Sequence, residues 1–148
     1  MKLFYSKKGF TLLELLIVIG IMSALFLASW PLYHSINNTI SLKNSAQEIY
    51  NALHLAQSRA INSRGNAVHG LHFNADSYVV FSGPWAAPIA TRQHELHRGL
   101  TITTGAGSTI TFNRLTGDTS DTTIAISQSP TLEKTIVVNE AGKITLQP

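Results

Sequence analysis

The chain opens with a step in polarity. Lys7 and Lys8 precede an apolar run from Phe10 to Trp30, FTLLELLIVIGIMSALFLASW, in which Glu14 is the only charge. At about 1.5 Å of rise per residue, this run predicts a helix of roughly 30 Å, the thickness of a bilayer hydrocarbon core. After Pro31 the apolar residues thin to one stripe. Leu42, Ala46, Ile49, Leu53, Ala56 and Ala60 recur at alternating steps of four and three, the signature of an amphipathic helix. Gly65-Asn66 supplies a stop. Beyond Gly65 the period falls to two. Residues 67–73 and 78–82 flank Asn74-Ala75-Asp76-Ser77 as a β-hairpin, and Pro84–Pro88 reads as a loop. Short Thr-, Ile- and Val-rich strands follow at 100–104, 109–113, 122–127, 135–139 and 143–146. The fold class expected is α+β: a long N-terminal helix, either continuous or loosened near Asn37-Asn38, whose second half packs its stripe on antiparallel sheets.

Charge sharpens this picture. The 148 residues carry a formal net charge of +3, but Lys2, Lys7 and Lys8 lie ahead of the apolar run, and the remainder holds eight basic against eight acidic side chains. The basicity therefore belongs to the N-terminal tag, with no clustered cations elsewhere to suggest a polyanion-binding face. Charged residues make up only 13% of the chain, against roughly 25% in an average soluble domain, which implies surface that does not meet water. Cysteine is absent, which excludes disulfides, thiolate metal sites and a Cys nucleophile. One-sided basic flanking places residues 1–9 in the cytoplasm and everything after Pro31 across the membrane.

Glu14 separates the readings of the apolar run. A secretory signal peptide would end in small residues, but Leu27-Ala28-Ser29-Trp30-Pro31 has no A-x-A pattern. A buried helix of a soluble protein would need a comparable amount of apolar sequence around it. A plain single-pass anchor explains the length and leaves Glu14 without a role. A carboxylate at hydrocarbon depth costs on the order of 3 kcal/mol and usually faces a protein partner. Cleavage between Gly9 and Phe10 would create such a partner, an α-amino group on Phe10 one helical turn from Glu14 in the same chain or beside Glu14 of a neighbour.

The stretch Lys7-Lys8-Gly9-Phe10-Thr11-Leu12-Leu13-Glu14-Leu15-Leu16-Ile17-Val18-Ile19 resembles the class III leader and first residues of type IV pilins and type II secretion pseudopilins. That resemblance implies cleavage after Gly9 by a prepilin peptidase and N-methylation of Phe10. It also implies a role for Glu14 in recruitment and subunit register, and a helix kink at Pro31. The rest of the chain is similar to the H-type minor pseudopilins (GspH/FimT type). The points of likeness are Ala56-Gln57-Ser58-Arg59-Ala60-Ile61, Ile110-Thr111-Phe112-Asn113-Arg114 with Gly117, and Ile136-Val137-Val138-Asn139 with Gly142-Lys143-Ile144. One branch of that family captures DNA through a C-terminal Gly-Arg-x-Arg motif. Gly142-Lys143-Ile144-Thr145 offers one cation there instead of two, which leaves Lys143 as the candidate ligand contact and weakens DNA as a partner.

The remaining chemistry-bearing residues do not converge. In His94-Glu95-Leu96-His97 the imidazoles are three residues apart, whereas the helical zinc motif needs four; both read as solvated loop histidines. His69 and His72 fall on opposite faces of one strand. Gly105-Ala106-Gly107-Ser108 lacks the third glycine and following helix of a phosphate cradle. No nucleophile elbow or acid pair stands out. The expected organisation is a cleaved leader at 1–9, a transmembrane and assembly helix at 10–33, and a periplasmic domain at 34–148, with helix 36–64 followed by strands over 66–148. The expected function is that of a structural subunit, not an enzyme, with no cofactor or metal, inserted in the inner membrane and then built into a type II secretion pseudopilus or a type IV pilus. Its partners would be the prepilin peptidase and other pilins or pseudopilins. The alternative is a binding module at a pilus tip, an adhesin or DNA receptor.

Overall fold

The computed structural model describes residues 9–129 and 132–147, with side chains from 29 to 35 and at 129 left aside. Lys2, Lys7 and Lys8 thus lie outside the described residues. Helix α1 runs from Leu12 to Ile61, and contacts divide the chain into a unit up to Asn37 and a unit from Asn38 onward, with α1 contributing to both.

In the first unit the apolar side chains surround the helix. From Leu12 to Leu27 the large ones are all exposed, with Leu12 80% and Val18 46% accessible at the extremes. Among the described residues no helix is long and apolar enough to cross a membrane. The described side chains of the run stop at Ala28, before the Ser29-Trp30 that ends it in the sequence.

In the second unit the stripe predicted by spacing is the stripe that is buried. Leu42 is 2% exposed, and Ala46, Ile49, Leu53, Ala56 and Ala60 are inaccessible. The helix passes through 37–38 without a break and stops at Ile61, short of the expected 64, because Ser63 turns to left-handed φ (48°) and Arg64–Asn66 close as a single 3-10 turn.

Among the described residues eight antiparallel strands follow: β1 (His69–Phe73), β2 (Ser77–Ser82), β3 (Ala90–Glu95), β4 (Thr101–Thr104), β5 (Thr109–Phe112), β6 (Thr122–Ser129), β7 (Leu132–Val138) and β8 (Ile144–Gln147). They form two four-stranded sheets, ordered β3-β2-β1-β5 and β4-β6-β7-β8. The expected hairpin is present, with Leu71 opposite Val80 and Phe73 opposite Tyr78. Leu71, Phe73 and Ile110 from the first sheet and Ile124, Ile126 and Ile136 from the second join the α1 stripe in one apolar cluster. Each large aliphatic side chain so buried contributes roughly 1.5–3 kcal/mol, so the stripe anchors this unit.

Strand β3 corrects the sequence expectation. His94 lies within it, half-buried and stacked on Tyr78 with ring centres 5.1 Å apart, and is no loop residue. ATRQHE has no apolar alternation because β3 is an outer strand with almost no side chain in the core.

Candidate functional site

The chemistry at the N-terminal end starts from backbone geometry. Gly9, Phe10 and Thr11 precede the helix and are exposed, Phe10 at 84%. A protease needs an extended, accessible bond, and the Gly9–Phe10 junction is outside the helical hydrogen-bond ladder. Thr11 caps the first turn of α1: its Oγ1 accepts the Glu14 backbone N–H at 3.2 Å. This is the first half of a capping box, Thr-x-x-Glu, which satisfies one of the helix's four free N-terminal donors. Thr11 is not among the residues that its neighbours' charge or polarity singles out, although its spacing from Glu14 is the cue. Farther along, the Ser23 hydroxyl donates to the Ile19 carbonyl at 2.8 Å, so this polar group is satisfied inside the helix, as an apolar surrounding requires. The Glu14 carboxylate has no partner among the described residues. It sits near the positive end of the helix dipole, which favours an anion there by several tenths of a kcal/mol.

Pro31 falls within α1, and the helix continues past it. The helical backbone persists to Ile61. The Pro31 side chain lies outside the described residues.

Three residues drawn from separate family-like segments come together in the second unit. Gln57 Nε2 donates to the Gly142 carbonyl at 2.7 Å and reaches the Gly117 carbonyl at 3.4 Å. Both glycines have positive φ, 76° at Gly117 and 73° at Gly142. A Cβ at 142 would fall against the Gly117 carbonyl and 2.5 Å from Gln57 Nε2, and a Cβ at 117 would lie 2.8 Å from Ile61. The end of α1 is thereby tied to the loops after β5 and β7, with Leu115 N–H donating to the Ala60 carbonyl at 3.1 Å. This constellation positions loops and holds no reactive group. Lys143, next to it, is exposed, and its backbone N–H donates to Asn139 Oδ1 at 2.7 Å.

The histidines serve the fold separately. His69 is buried with Nε2 2.9 Å from the Arg64 carbonyl. His72 Nδ1 lies 2.8 Å from Thr109 Oγ1, and its ring stacks on Trp85 at 4.1 Å. Among the described residues no three His, Cys, Asp or Glu side chains are grouped to hold a metal. Gly105–Ser108 forms the turn between β4 and β5, with Ser108 Oγ donating to the Gly105 carbonyl at 2.6 Å. Tyr78 has its pKa raised above 10.0, chiefly by burial and secondarily by the Glu48 carboxylate; this marks a packed phenol, not a poised acid.

The chain matches two family models, type II transport protein GspH over residues 45–142 and the prokaryotic N-terminal methylation motif over residues 5–30. No curated protein gives a significant match. Two solved structures of the minor pseudopilin EpsH from the type 2 secretion system of Vibrio cholerae are similar in fold. Each is 20% identical with a TM-score of 0.55; the alignments cover 72% and 73% of this chain and 96% and 94% of theirs. The exposed junction and the capped apolar helix lie within the methylation motif, and the Gln57–Gly117–Gly142 tie lies within the GspH match. The chain belongs to the GspH family of type II transport proteins, as a minor pseudopilin with a prepilin-type N-terminus.

Proposed function

We propose that the chain is inserted in the inner membrane as a single-pass precursor, with residues 1–9 in the cytoplasm and the β-rich unit in the periplasm. A prepilin peptidase then cuts it between Gly9 and Phe10 and methylates Phe10. The processed subunit enters a type II secretion pseudopilus through its N-terminal helix. The observation that carries this reading is the apolar surface of α1 from Leu12 to Leu27, exposed around the whole helix and interrupted only by Glu14 as a charge. Such a surface is satisfied by lipid or by like helices. In water, each Leu- or Ile-sized side chain buried between helices contributes roughly 1.5–3 kcal/mol. In lipid that gain is absent, so extraction requires external work.

Glu14 sets where neighbouring helices stop sliding. Once the leader is gone, the Phe10 amine is the cation that reaches its depth, within one chain or from the next. The test is Glu14→Ala in cells that assemble the pseudopilus. The variant is expected to be inserted and cleaved like the wild type, while its recovery in sheared filaments drops by about ten-fold, the loss of roughly 1.4 kcal/mol per contact. Normal recovery of the variant would overturn the pairing role.

A further inference from the structure

A groove of about 670 Å³ opens between α1 and the outer strand β3, lined wholly by residues of the unit from Asn38 onward. Along the helix it extends from Glu48 to Arg59, a distance of about 16 Å, which takes about five residues of extended chain. Its floor is apolar, made by Ala52, Leu55 and Val80, and Leu55 remains 49% exposed. Arg59 and Arg92 line the same space. Arg59 Nε is buried without a hydrogen-bond partner among the described residues, and neither Arg59 nor Arg92 has an ion-pair partner among them. A buried N–H without an acceptor is unfavourable, so Arg59 is a guanidinium that an acceptor brought to it would satisfy.

The charge is not that of a phosphate track. Glu48 lines the same groove close enough to Tyr78 to raise its pKa, and a nucleic-acid backbone gains nothing from an apolar floor. A carboxylate carried beside an apolar side chain satisfies both features. The outer boundary of the groove is β3, which pairs only with β2 among the described strands, so its far edge offers backbone donors and acceptors to an extended segment. In an extended chain, side chains two residues apart face the same way.

We propose that this groove binds an extended segment of a partner protein in which an apolar residue and an aspartate or glutamate are spaced i, i+2. The apolar side chain lies on Leu55 and Val80, and the carboxylate pairs with Arg59 and Arg92. The site uses no residue of the N-terminal apolar run, so its failure and the failure of the assembly reading are separable.

The test uses the full chain in detergent micelles and two fluorescein-labelled peptides, SLSDS and SLSNS, read by fluorescence anisotropy against micelle-only controls. SLSDS is expected to bind about ten-fold more tightly than SLSNS, as one charge-assisted hydrogen-bonded pair provides. Arg92→Gln, at an exposed position, is expected to remove most of that preference with the melting temperature unchanged. Arg59→Gln is expected to do the same where its fold survives. Three results would overturn the proposal: equal affinity for the two peptides or no saturable binding at millimolar concentration, a preference that survives in Arg92→Gln, or displacement of SLSDS by duplex DNA at lower concentration than by unlabelled SLSDS.

Discussion

One helix carries two surfaces with opposite fates. Between Leu12 and Leu27 its large apolar side chains remain 46–80% exposed, while Leu42, Ala46, Ile49, Leu53, Ala56 and Ala60 are 2% exposed or less. The two segments differ in content and in pattern. The second segment concentrates its apolar residues on one stripe, which two sheets of the same chain cover. The first distributes them around the axis, so no single sheet could cover them, and only a surrounding medium or several other helices will do. The first half is thus built for an intermolecular environment and the second for an intramolecular one.

Matched substitutions sharpen that contrast. Leu53→Ala should destabilise the β-rich unit by about 2–5 kcal/mol through loss of burial and the cavity left behind, measured by urea denaturation of the full chain in micelles. Leu16→Ala, on the exposed surface, should shift the same transition by less than about 0.5 kcal/mol. Equal effects would erase the distinction between the halves. Next in size is Gly142→Ala. The positive φ and the crowding against Gly117 and Gln57 predict a loss of about 2 kcal/mol, read from the same transition. An unchanged midpoint would show that the tie at the end of α1 does not support the fold.

The smallest effect is that of Tyr78. Its folded pKa lies above the ordinary 10.0, so the folded state holds a proton that the unfolded chain releases. Stability from this group is complete below pH 10.0 and falls as pH climbs through and beyond that value. Tyr78→Phe should therefore lose less stability than the wild type between about pH 8 and about pH 11, and equal losses would contradict the burial of the phenol.

Much of this architecture is legible in the sequence because it rests on short-range repetition. The steps of four and three name every apolar residue of the buried stripe on α1, though not the buried Ser45 beside it, and the prolines at 84 and 88 mark the loop before β3. The features that escape depend on distant parts of the chain or on the lack of pattern. β3 has no alternation to detect, since an outer strand with solvent on most sides needs no apolar face. Gln57 looks like an ordinary helical amide, and its bond to Gly142 exists only when the loop after β7 closes onto the helix. The cap at Thr11 is legible in principle from Thr-x-x-Glu, but the charge of Glu14 draws attention to its carboxylate and away from its backbone N–H. The candidate site divides the same way: Gly9, Phe10 and Glu14 are a local motif, whereas the Arg59–Arg92 groove is a product of tertiary packing.

In the proposed processing, the exposed N-terminal helix becomes an assembly element once Phe10 is the first residue of the chain. The intact mass of the chain taken from filaments tests this most directly. The expected mass is that of residues 10–148 with one added methyl group on Phe10. A filament-borne chain that retains Lys7 and Lys8, or one that starts near Trp30, would contradict it.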